Sequence, residues 1–335
     1  MKQRRIDLKV GYLCNDDCVH CAIAHNRQRL QSNNIETELT TNQVKQLIDR
    51  YSEQYSHITL TGGEITIRKE FLDIIKYASD KFQVVDVQTN GRKLATAQNI
   101  DQLSQLNNID YVISIHGPNK DIHECITRKP HSFEQTVNSI RKMVCLPNKP
   151  RVLLKFVVSN YNKDYICDTV QFAYDLGCRY IDIAYMHGCT DNYQTLQQLL
   201  PSYGDIKEGV NKAIEFGKNL GVRVTVETFP LCVIASKHYD SIDEMVLSSM
   251  DMSVQAVGED IYNWNEVRIN NNKLKTNQCN NCSFRNNCEG PWEEYWDIHG
   301  GQGLNAILPN KPAIPLISQN RASVLSGYAQ LFKVG

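Results

Sequence analysis

Apolar stretches of strand length alternate with amphipathic stretches of helical length over residues 6–190, and this alternation constrains the fold more than any other feature. Strands are expected at residues 6–13, 57–60, 84–87, 110–115, 152–158 and 180–186. Helices are expected between them at 42–55, 69–81, 95–107, 133–145 and 163–176. This spacing predicts βαβ units and a parallel sheet. Because such crossovers are nearly always right-handed, the sheet should curl into a full or partial α/β barrel.

A polar or glycine-containing motif follows each expected strand where the strand ends. In chain order the motifs cover residues 14–21, 61–66, 89–91, 116–118, 159–160 and 187–189. In barrels of this type the active site is built from the loops that follow the carboxyl ends of the strands. We therefore expect the six motifs to converge on one mouth.

The first motif places Cys14, Cys18 and Cys21 on one loop at the spacing C-x3-C-x2-C. Iron–sulfur clusters are held by cysteine thiolates and normally take four of them. A loop with three thiolates leaves one metal position open, and an open position distinguishes catalytic from structural sites in zinc enzymes. The spacing alone leaves two alternatives, a zinc knuckle and three unconnected thiols.

Composition restricts the partners and the compartment. The chain has 335 residues and a formal net charge of −1, without a long Lys/Arg block, so we do not expect nucleic acid as the main substrate. No apolar stretch approaches the roughly 20 residues that span a bilayer, and the basic N-terminus is not followed by a signal-peptide core. Twelve cysteines without a secretion signal indicate a reducing compartment, and we expect a cytoplasmic protein without membrane contact.

The cysteine loop, T-G-G-E-I-T at 61–66 and Q-T-N-G at 88–91 together resemble the radical S-adenosylmethionine (SAM) superfamily. The resemblance is continuous over about residues 6–190 and sparser to about 300. One departure is Ile65, where the family usually has a proline that would only stiffen the turn. The resemblance implies a partial (β/α)6 TIM-type barrel with an open side.

By this resemblance, Cys14, Cys18 and Cys21 would hold three irons of a 4Fe-4S cluster. The amino and carboxylate groups of SAM would chelate the fourth iron. The cofactor-binding residues that it implies are Gly62, Gly63, Glu64, Asn90, Ser114, His116 and Asn160.

Within this set, residues 62–64 match the motif that accepts hydrogen bonds from the SAM amine. Ser114, His116 and Asn160 lie where the family contacts the ribose and the methionine carboxylate, with Lys155 as a weaker candidate. His20 takes a position where the family often has an aromatic residue, and we expect it to pack near the adenine. The alternatives are a tight strand exit for the glycine pair and ordinary polar loop residues for the rest.

A second cysteine group follows the expected helix 203–220 and strand 222–228. Cys279, Cys282 and Cys288 have the metal-site spacing C-x2-C-x5-C, and Cys232 could supply a fourth thiolate. The layout resembles the auxiliary-cluster extension called SPASM in its shorter "twitch" form, because Trp292 stands where a full SPASM domain has its next cysteine. The resemblance implies one closed auxiliary 4Fe-4S cluster. A structural zinc site with the same thiolates is the alternative.

The order of these features predicts a radical SAM barrel at 1–221, a cluster-binding extension at 222–303 and a tail at 304–335. Within these parts, the polar stretch 22–38 is predicted to be a loop, and 267–276 is predicted to be a hairpin around an Asn-rich turn.

The resemblance implies an enzyme that reductively cleaves SAM to methionine and a 5′-deoxyadenosyl radical, which abstracts a substrate hydrogen. Twitch and SPASM relatives most often epimerise or cross-link ribosomally made peptides, so we expect a peptide substrate. A dehydrogenase or epimerase of a small molecule, such as a sugar or nucleoside, is the alternative. A non-catalytic iron–sulfur electron carrier is another, but it has no use for the motifs at 61–66 and 88–91.

Two kinds of partner follow from the same resemblance. The enzyme would need an electron donor such as flavodoxin or ferredoxin. Because the first strand begins near residue 6, we expect no N-terminal leader-binding domain, so the mouth or a separate leader-peptide-binding protein would hold a peptide substrate.

Five cysteines lie outside both groups, namely Cys125, Cys145, Cys167, Cys178 and Cys189. Of these, Cys189 lies directly past a strand end, and Cys125, in the loop after the fourth strand, is its competitor. A radical epimerase must return a hydrogen atom to the opposite face of the substrate, and a thiol is the usual side-chain donor. Cys189 is therefore the candidate catalytic residue, with a structural loop thiol as the alternative.

Overall fold

Seven parallel strands in chain order build the barrel sheet. The structure, a computed structural model, describes residues 4–187, 193–243, 251–259 and 261–308. The strands are β1 (Arg4–Lys9), β2 (His57–Thr61), β3 (Val84–Thr89), β4 (Ile109–Ser114), β5 (Val152–Val158), β6 (Tyr180–Tyr185) and β7 (Arg223–Glu227). Each pairs in parallel with the next. The predicted α/β fold with a parallel sheet is confirmed.

Helices connect the strands and cover the outer face of the sheet. They are α1 (Ala24–Ser32), α2 (Thr41–Ser52), α3 (Phe71–Lys81), α4 (Ala97–Leu103), α5 (Lys120–Thr127), α6 (Ser132–Val144), α7 (Ile166–Asp175), α8 (Tyr193–Leu199) and α9 (Tyr203–Leu220). The local sequence determines where two of these helices begin or end. Thr40 and Gln43 form a capping box at the start of α2, and Gly221 ends α9 in the left-handed conformation.

The two faces of the sheet differ in polarity. Ile6 and Leu8 of β1 are fully buried and belong to the apolar core, whereas Arg5, Asp7 and Lys9, which alternate with them, are polar and partly buried. Successive side chains of a strand point to opposite faces, so the polar set lines the barrel interior. Near the amino ends of the strands, Asp86 contacts His57 at 2.8 Å and Arg151 at 3.6 Å. Charged and polar side chains therefore close this end of the barrel interior.

The sheet extends beyond the six predicted strands on both sides. On one side, β7 lies next to β6 although we had assigned it to the cluster-binding extension. On the other side, β8 (Asp251–Gln255) pairs in parallel with β1, and β9 (Tyr262–Asn263) pairs antiparallel with β8. The division into units at residue 221 remains a prediction.

The predicted loop at 22–38 is wrong, because it contains α1. This helix buries one residue, Leu30, which packs against Tyr12 and Val257. A helix with so little apolar surface has no periodic pattern by which its sequence could identify it.

The predicted hairpin at 267–276 is also wrong. The chain forms two consecutive helical turns, Trp264–Val267 and Arg268–Asn272, and a further helix follows at Glu293–His299. Arg268 is buried and donates two hydrogen bonds to Glu289, so a contact distant in sequence holds the segment. Within the described ranges, no helix has the length and apolar character needed to cross a membrane.

Candidate active site

The loops that follow β1 to β5 lie at one end of the barrel. This follows from the parallel pairing, which puts the carboxyl ends of these strands on one side. The loop after β6 begins at the same end, but residues 188–192, including the candidate Cys189, lie outside the described residues.

The three cysteines after β1 are partly buried, and the chain supplies donors to at least one of their sulfurs. The Asp16 N–H donates to Cys14 Sγ at 3.4 Å, and Asn90 Nδ2 lies 4.0 Å from the same sulfur. Burial raises the pKa of the Cys14 thiol to about 11 and that of Cys18 well above its ordinary value. These two thiols are therefore protonated at neutral pH unless a bound metal ion deprotonates them.

Among the described residues, no group of three or more His, Cys, Asp or Glu side chains is arranged to hold a single metal ion. An iron–sulfur cluster makes a different demand, because each cysteine binds its own iron. Three soft thiols on one partly buried loop, with N–H donors to sulfur, fit such a cluster.

Arg92 fixes the position of the cysteine loop, although no sequence pattern marked it. Its Nη1 donates to the Asn15 carbonyl at 2.5 Å and to the Asp16 carboxylate at 2.7 Å. The N–H groups of Asp17 and Val19 donate to carbonyls at the end of α5. An arginine just after a strand is ordinarily exposed, so sequence reasoning had no reason to select it.

The glycine pair after β2 is required by a close backbone approach. The Gly63 N–H donates to the Gly11 carbonyl at 2.8 Å, directly before the cysteine loop. A Cβ at Gly62 would lie 2.3 Å from the Gly11 oxygen, and one at Gly63 would lie 2.0 Å from the Leu13 oxygen. Only glycine fits here, and the loop after β2 is thereby pressed against the start of the cysteine loop.

Glu38 and Arg68 support the same segment and were missed in the sequence. Glu38 Oε1 accepts hydrogen bonds from the N–H groups of Tyr12 (2.6 Å) and Leu13 (2.7 Å). Arg68 Nη1 donates to Glu38 Oε2 at 3.3 Å. Gly11 was the available signal, because a Cβ there would lie 2.0 Å from Glu38 Oε2.

The Glu64 carboxylate joins two of the motif loops. Its Oε1 accepts hydrogen bonds from the Thr66 N–H (3.0 Å), the Thr66 hydroxyl (2.6 Å) and the Thr89 hydroxyl (2.6 Å), and its Oε2 accepts one from the Asn90 N–H (2.6 Å). The side chain is 3% exposed, and burial raises its pKa. Because both oxygens accept hydrogen bonds from the protein, the side chain braces the mouth.

Replacing Glu64 by Gln is expected to lower the free energy of unfolding by about 2 kcal/mol. The amide Nε2 would face the Asn90 N–H, leaving two buried donors without an acceptor. Thermal unfolding of the holoprotein should show a melting temperature a few degrees lower. The matched control is Glu208→Gln, because Glu208 lies exposed on α9 and pairs with Lys212. Equal melting temperatures for the two variants would contradict the bracing role of Glu64.

Three histidines pack together beside the cysteine loop. The ring centroids of His20 and His116 lie 4.8 Å apart, and those of His116 and His123 lie 5.3 Å apart. Burial lowers the pKa of His20 and His123 to about 4 and that of His116 well below its ordinary value, so all three are neutral. Among the described residues, His20 Nε2 and His116 Nδ1 have no hydrogen-bond partner, so both remain candidates for contact with a ligand.

The remaining predicted cofactor contacts differ in how free their side chains are. Ser114 ends β4 half-buried, next to Lys155 in the register of β4 and β5. Asn160 Nδ2 donates to two carbonyls at the end of α8, so only its oxygen could contact SAM. Asn162, which we had not selected, is fully buried and donates to the His116 carbonyl at 3.1 Å, tying the loops after β4 and β5 together.

The second cysteine group comes together as one pocket. Cys232, Cys279, Cys282 and Cys288 all line it. Cys288 Sγ accepts N–H hydrogen bonds from residues 231 (3.5 Å) and 290 (3.4 Å), and Cys282 Sγ accepts one from residue 307 (3.5 Å). Four thiols around one pocket, with backbone N–H donors to two of the sulfurs, form a donor set of the kind that an iron–sulfur cluster uses.

Of the spare cysteines, four lie in the described part of the chain. Cys125 and Cys145 are exposed, Cys167 is half-buried, and Cys178 is buried in the core. Cys178 therefore packs as a small apolar residue, whereas the exposed Cys125 and Cys145 do not.

Known proteins are similar to this chain mainly over its first half. Residues 8–173 match the Radical SAM superfamily. The mycofactocin maturase MftC of Mycolicibacterium smegmatis is 29% identical over 136 residues, covering 40% of this chain and 33% of MftC. The AdoMet-dependent heme synthase of Methanosarcina barkeri is 30% identical over 167 residues, covering 49% of this chain and 45% of the synthase. The chain thus spans less than half the length of these curated relatives.

Solved structures share the fold at low sequence identity. Streptococcus suis SuiB bound to its precursor peptide SuiA has a TM-score of 0.58 at 10% identity, covering 82% of this chain and 62% of SuiB. SuiB bound to SAM has a TM-score of 0.61 at 12% identity, covering 86% of this chain and 72% of SuiB. At such identities the likeness concerns the fold, which supports the partial-barrel assignment.

Proposed function

Residues 8–173 form a radical SAM domain, and from this premise we propose that the chain is an enzyme that modifies a peptide by radical chemistry. One observation carries the proposal: Cys14, Glu64 and Asn90, from three separate loops, form one hydrogen-bonded assembly at the mouth of the barrel. When bound, a 4Fe-4S cluster and SAM supply a 5′-deoxyadenosyl radical, which removes a hydrogen atom from the substrate.

The chain's own residues would bind the cluster, orient SAM and exclude water. Cys14, Cys18 and Cys21 would hold the cluster. Residues 62–64 would face the SAM amine, because the two glycines carry no side chain and let the backbone approach a ligand closely. His20 presents a buried neutral ring that can pack against adenine without adding charge.

Four further side chains are proposed to contact SAM or to position the residues that do. Ser114 and His116 would face the ribose and the methionine carboxylate, and Asn160 would contribute its side-chain oxygen. Asn90 would act through Asn15, to which its Nδ2 donates at 2.8 Å, and so would hold the cysteine loop against β3. Each contact is near the mouth, where the radical must be kept from water.

A peptide is the substrate class that we propose. The solved SuiB has the same fold and is bound to a precursor peptide, and the relative MftC is named a maturase. A small-molecule substrate is the alternative, and the relative named a heme synthase favours it. A pure electron carrier is disfavoured, because it would not need the Glu64 assembly beside the cysteine loop.

Mass spectrometry can separate these substrate classes. The anaerobic holoenzyme is incubated with SAM, a reductant and the short peptides encoded beside its gene. Loss of two hydrogen atoms from the peptide indicates cross-linking or dehydrogenation. In a parallel reaction in D2O, uptake of one deuterium without any other mass change indicates epimerisation. Unchanged peptides, together with conversion of a sugar or nucleoside in the same assay, would contradict the peptide proposal.

The second cysteine group is proposed to bind one auxiliary 4Fe-4S cluster, as in the twitch form of the SPASM extension. With four thiolates the cluster is closed, which suits electron transfer or structural support better than substrate binding. The proposed partners are an electron donor such as flavodoxin or ferredoxin and, for a peptide substrate, a separate leader-peptide-binding protein.

If the reaction is an epimerisation, Cys189 is the proposed hydrogen donor. A thiol hydrogen exchanges with solvent, so wild-type product formed in D2O should carry one deuterium at the inverted carbon. In the wild type the transfer would leave a Cys189 thiyl radical, which takes one electron from the electron donor and one proton from solvent to restore the thiol. Cys189→Ala should consume peptide without delivering inverted, deuterated product, because the substrate radical has lost its donor. Chiral amino-acid analysis and mass spectrometry measure both effects, and Cys125→Ala is the matched control. Inverted, deuterated product from Cys189→Ala would remove this residue from the mechanism.

A further inference from the structure

The pocket of the second cysteine group contains basic side chains as well as thiols. Its lining includes Lys275 and Arg285 beside the four cysteines, and among the described residues it includes no carboxylate. Much of the remaining lining is apolar, with Pro230, Leu231 and Phe284 among its members. The pocket thus brings basic groups to the thiols without an acidic side chain of its own.

The backbone holds Arg285 close to two of these cysteines. The Arg285 N–H donates to the Cys282 carbonyl at 3.1 Å, and the Cys288 N–H donates to the Phe284 carbonyl at 2.8 Å. Residues 282–288 therefore form consecutive tight turns, with Arg285 midway along the chain between two thiols that line the pocket. An exchange of this side chain would be felt at both cysteines.

The Arg285 guanidinium has a buried donor that the described part of the chain does not satisfy. Its Nη1 is shielded from solvent, and no described residue accepts a hydrogen bond from it. A buried donor without an acceptor costs free energy, and the cost is larger when the donor belongs to a charged group. Such a group in a native structure points to an acceptor that binds beside it.

The other basic side chains near these thiols differ from Arg285. Lys207 Nζ donates to a backbone carbonyl at 2.8 Å, and Lys273 Nζ lies 3.2 Å from the Glu289 carboxylate. Lys275 is exposed, so water can solvate its ammonium group. Arg285 combines a place in the pocket lining with a buried donor in need of an acceptor.

An iron–sulfur cluster is an acceptor of the right charge. With four thiolates a 4Fe-4S cluster is an anion, and reduction by one electron adds a further negative charge. Its sulfurs accept hydrogen bonds, and backbone N–H groups already donate to Cys282 Sγ and Cys288 Sγ. A guanidinium beside the sulfurs would stabilise the reduced, more negative form more than the oxidised form.

We propose that Arg285 donates a hydrogen bond to a sulfur of the auxiliary cluster and thereby raises the reduction potential of that cluster. Arg285 binds no iron; it acts on the equilibrium in which the oxidised cluster takes up one electron from the electron donor. The proposal rests on the proposed function in one respect, namely that the four cysteines hold a 4Fe-4S cluster.

The test uses the full-length holoprotein, reconstituted anaerobically with iron and sulfide. Electron paramagnetic resonance at controlled potentials measures both clusters, and the auxiliary signal is the one that persists when Cys14, Cys18 and Cys21 are changed to Ala. Arg285→Gln keeps an N–H donor but removes the charge. It should lower the equilibrium constant for reduction of the auxiliary cluster about tenfold, which is about 59 mV for one electron.

Two further variants separate the charge from packing. Arg285→Lys keeps the charge, so its equilibrium constant should stay within about threefold of the wild-type value. Lys275→Gln removes an exposed charge from the same lining and should change the constant by less than about threefold. If Arg285→Gln loses the auxiliary cluster, as iron analysis would show, Arg285→Lys still decides, because it must keep both the cluster and the potential.

An unchanged or higher potential in Arg285→Gln would overturn the proposal, as would an equal shift in Lys275→Gln. Loss of the cluster from Arg285→Lys, or a potential as low as that of Arg285→Gln, would assign Arg285 a packing role instead. A wild type without an auxiliary signal would overturn this proposal together with the auxiliary cluster. Absent SAM cleavage by a wild type that shows the Arg285 effect would overturn the radical SAM proposal alone.

Discussion

Changing Cys14, Cys18 and Cys21 together to Ala is expected to reduce formation of 5′-deoxyadenosine from SAM to background. These residues are the only thiols on the loop after β1, and each would bind one iron. Without them the mouth keeps its shape but has no ligand for the cluster. Liquid chromatography of anaerobic, dithionite-reduced reactions measures the product, and the absorbance of the second cluster should remain.

The matched control removes the same number of thiols elsewhere. Cys125, Cys145 and Cys167 are exposed or half-buried and lie outside both cysteine groups. The variant with these three changed to Ala should cleave SAM as the wild type does. Continued formation of 5′-deoxyadenosine by the first variant would show that the loop after β1 does not hold the catalytic cluster.

Changing Cys232, Cys279, Cys282 and Cys288 to Ala is expected to halve the iron content. Two 4Fe-4S clusters give about eight irons per chain, and loss of the auxiliary cluster leaves about four, with sulfide falling in parallel. The physical reason is that the four thiols line one pocket, where backbone N–H groups donate to Cys288 Sγ and Cys282 Sγ. Metal and sulfide analysis of the anaerobic protein measures this loss.

The same analysis of the wild type guards against a variant that fails to fold, since metal binding and folding are coupled in small domains. About four irons and one zinc per wild-type chain would establish the structural zinc site and exclude the auxiliary cluster. About eight irons without zinc would support the proposal even if the variant is insoluble.

The barrel was predictable because its signals are local. Each strand is a short aliphatic run, each helix has an amphipathic period, and the motifs follow strand ends, so parallel pairing alone places them together. The cysteine groups were predictable for the same reason, since ligand spacing is a property of short segments.

The supports of the mouth were not predictable, because they depend on contacts between distant segments. Glu38, Arg68 and Arg92 are charged residues of a kind that is usually exposed, and only the folded chain brings them to the cysteine loop. Asn162 could not be distinguished from Asn160 by sequence, yet it is the one that is fully buried between loops.

The strand at the sheet edge and the ion pairs of the barrel interior also depend on contacts between distant segments. β8 is a five-residue strand that pairs with β1, and the paired residues, such as Arg4 and Asp251, are far apart in sequence, so no local pattern specifies that partner. Lys155 looked like a weak candidate for contact with SAM, whereas the structure pairs it with Asp182 and Glu227 from later strands.

Reductive cleavage of SAM by the wild type is the reaction that the proposed function requires first. The wild-type holoprotein, reconstituted anaerobically with iron and sulfide, is incubated with SAM and dithionite, and methionine and 5′-deoxyadenosine are quantified over time. Both products are expected to accumulate in equal amounts and only when reductant is present. A fully reconstituted protein that binds SAM but forms no 5′-deoxyadenosine above the unreduced control would contradict the assignment of this chain as a radical SAM enzyme.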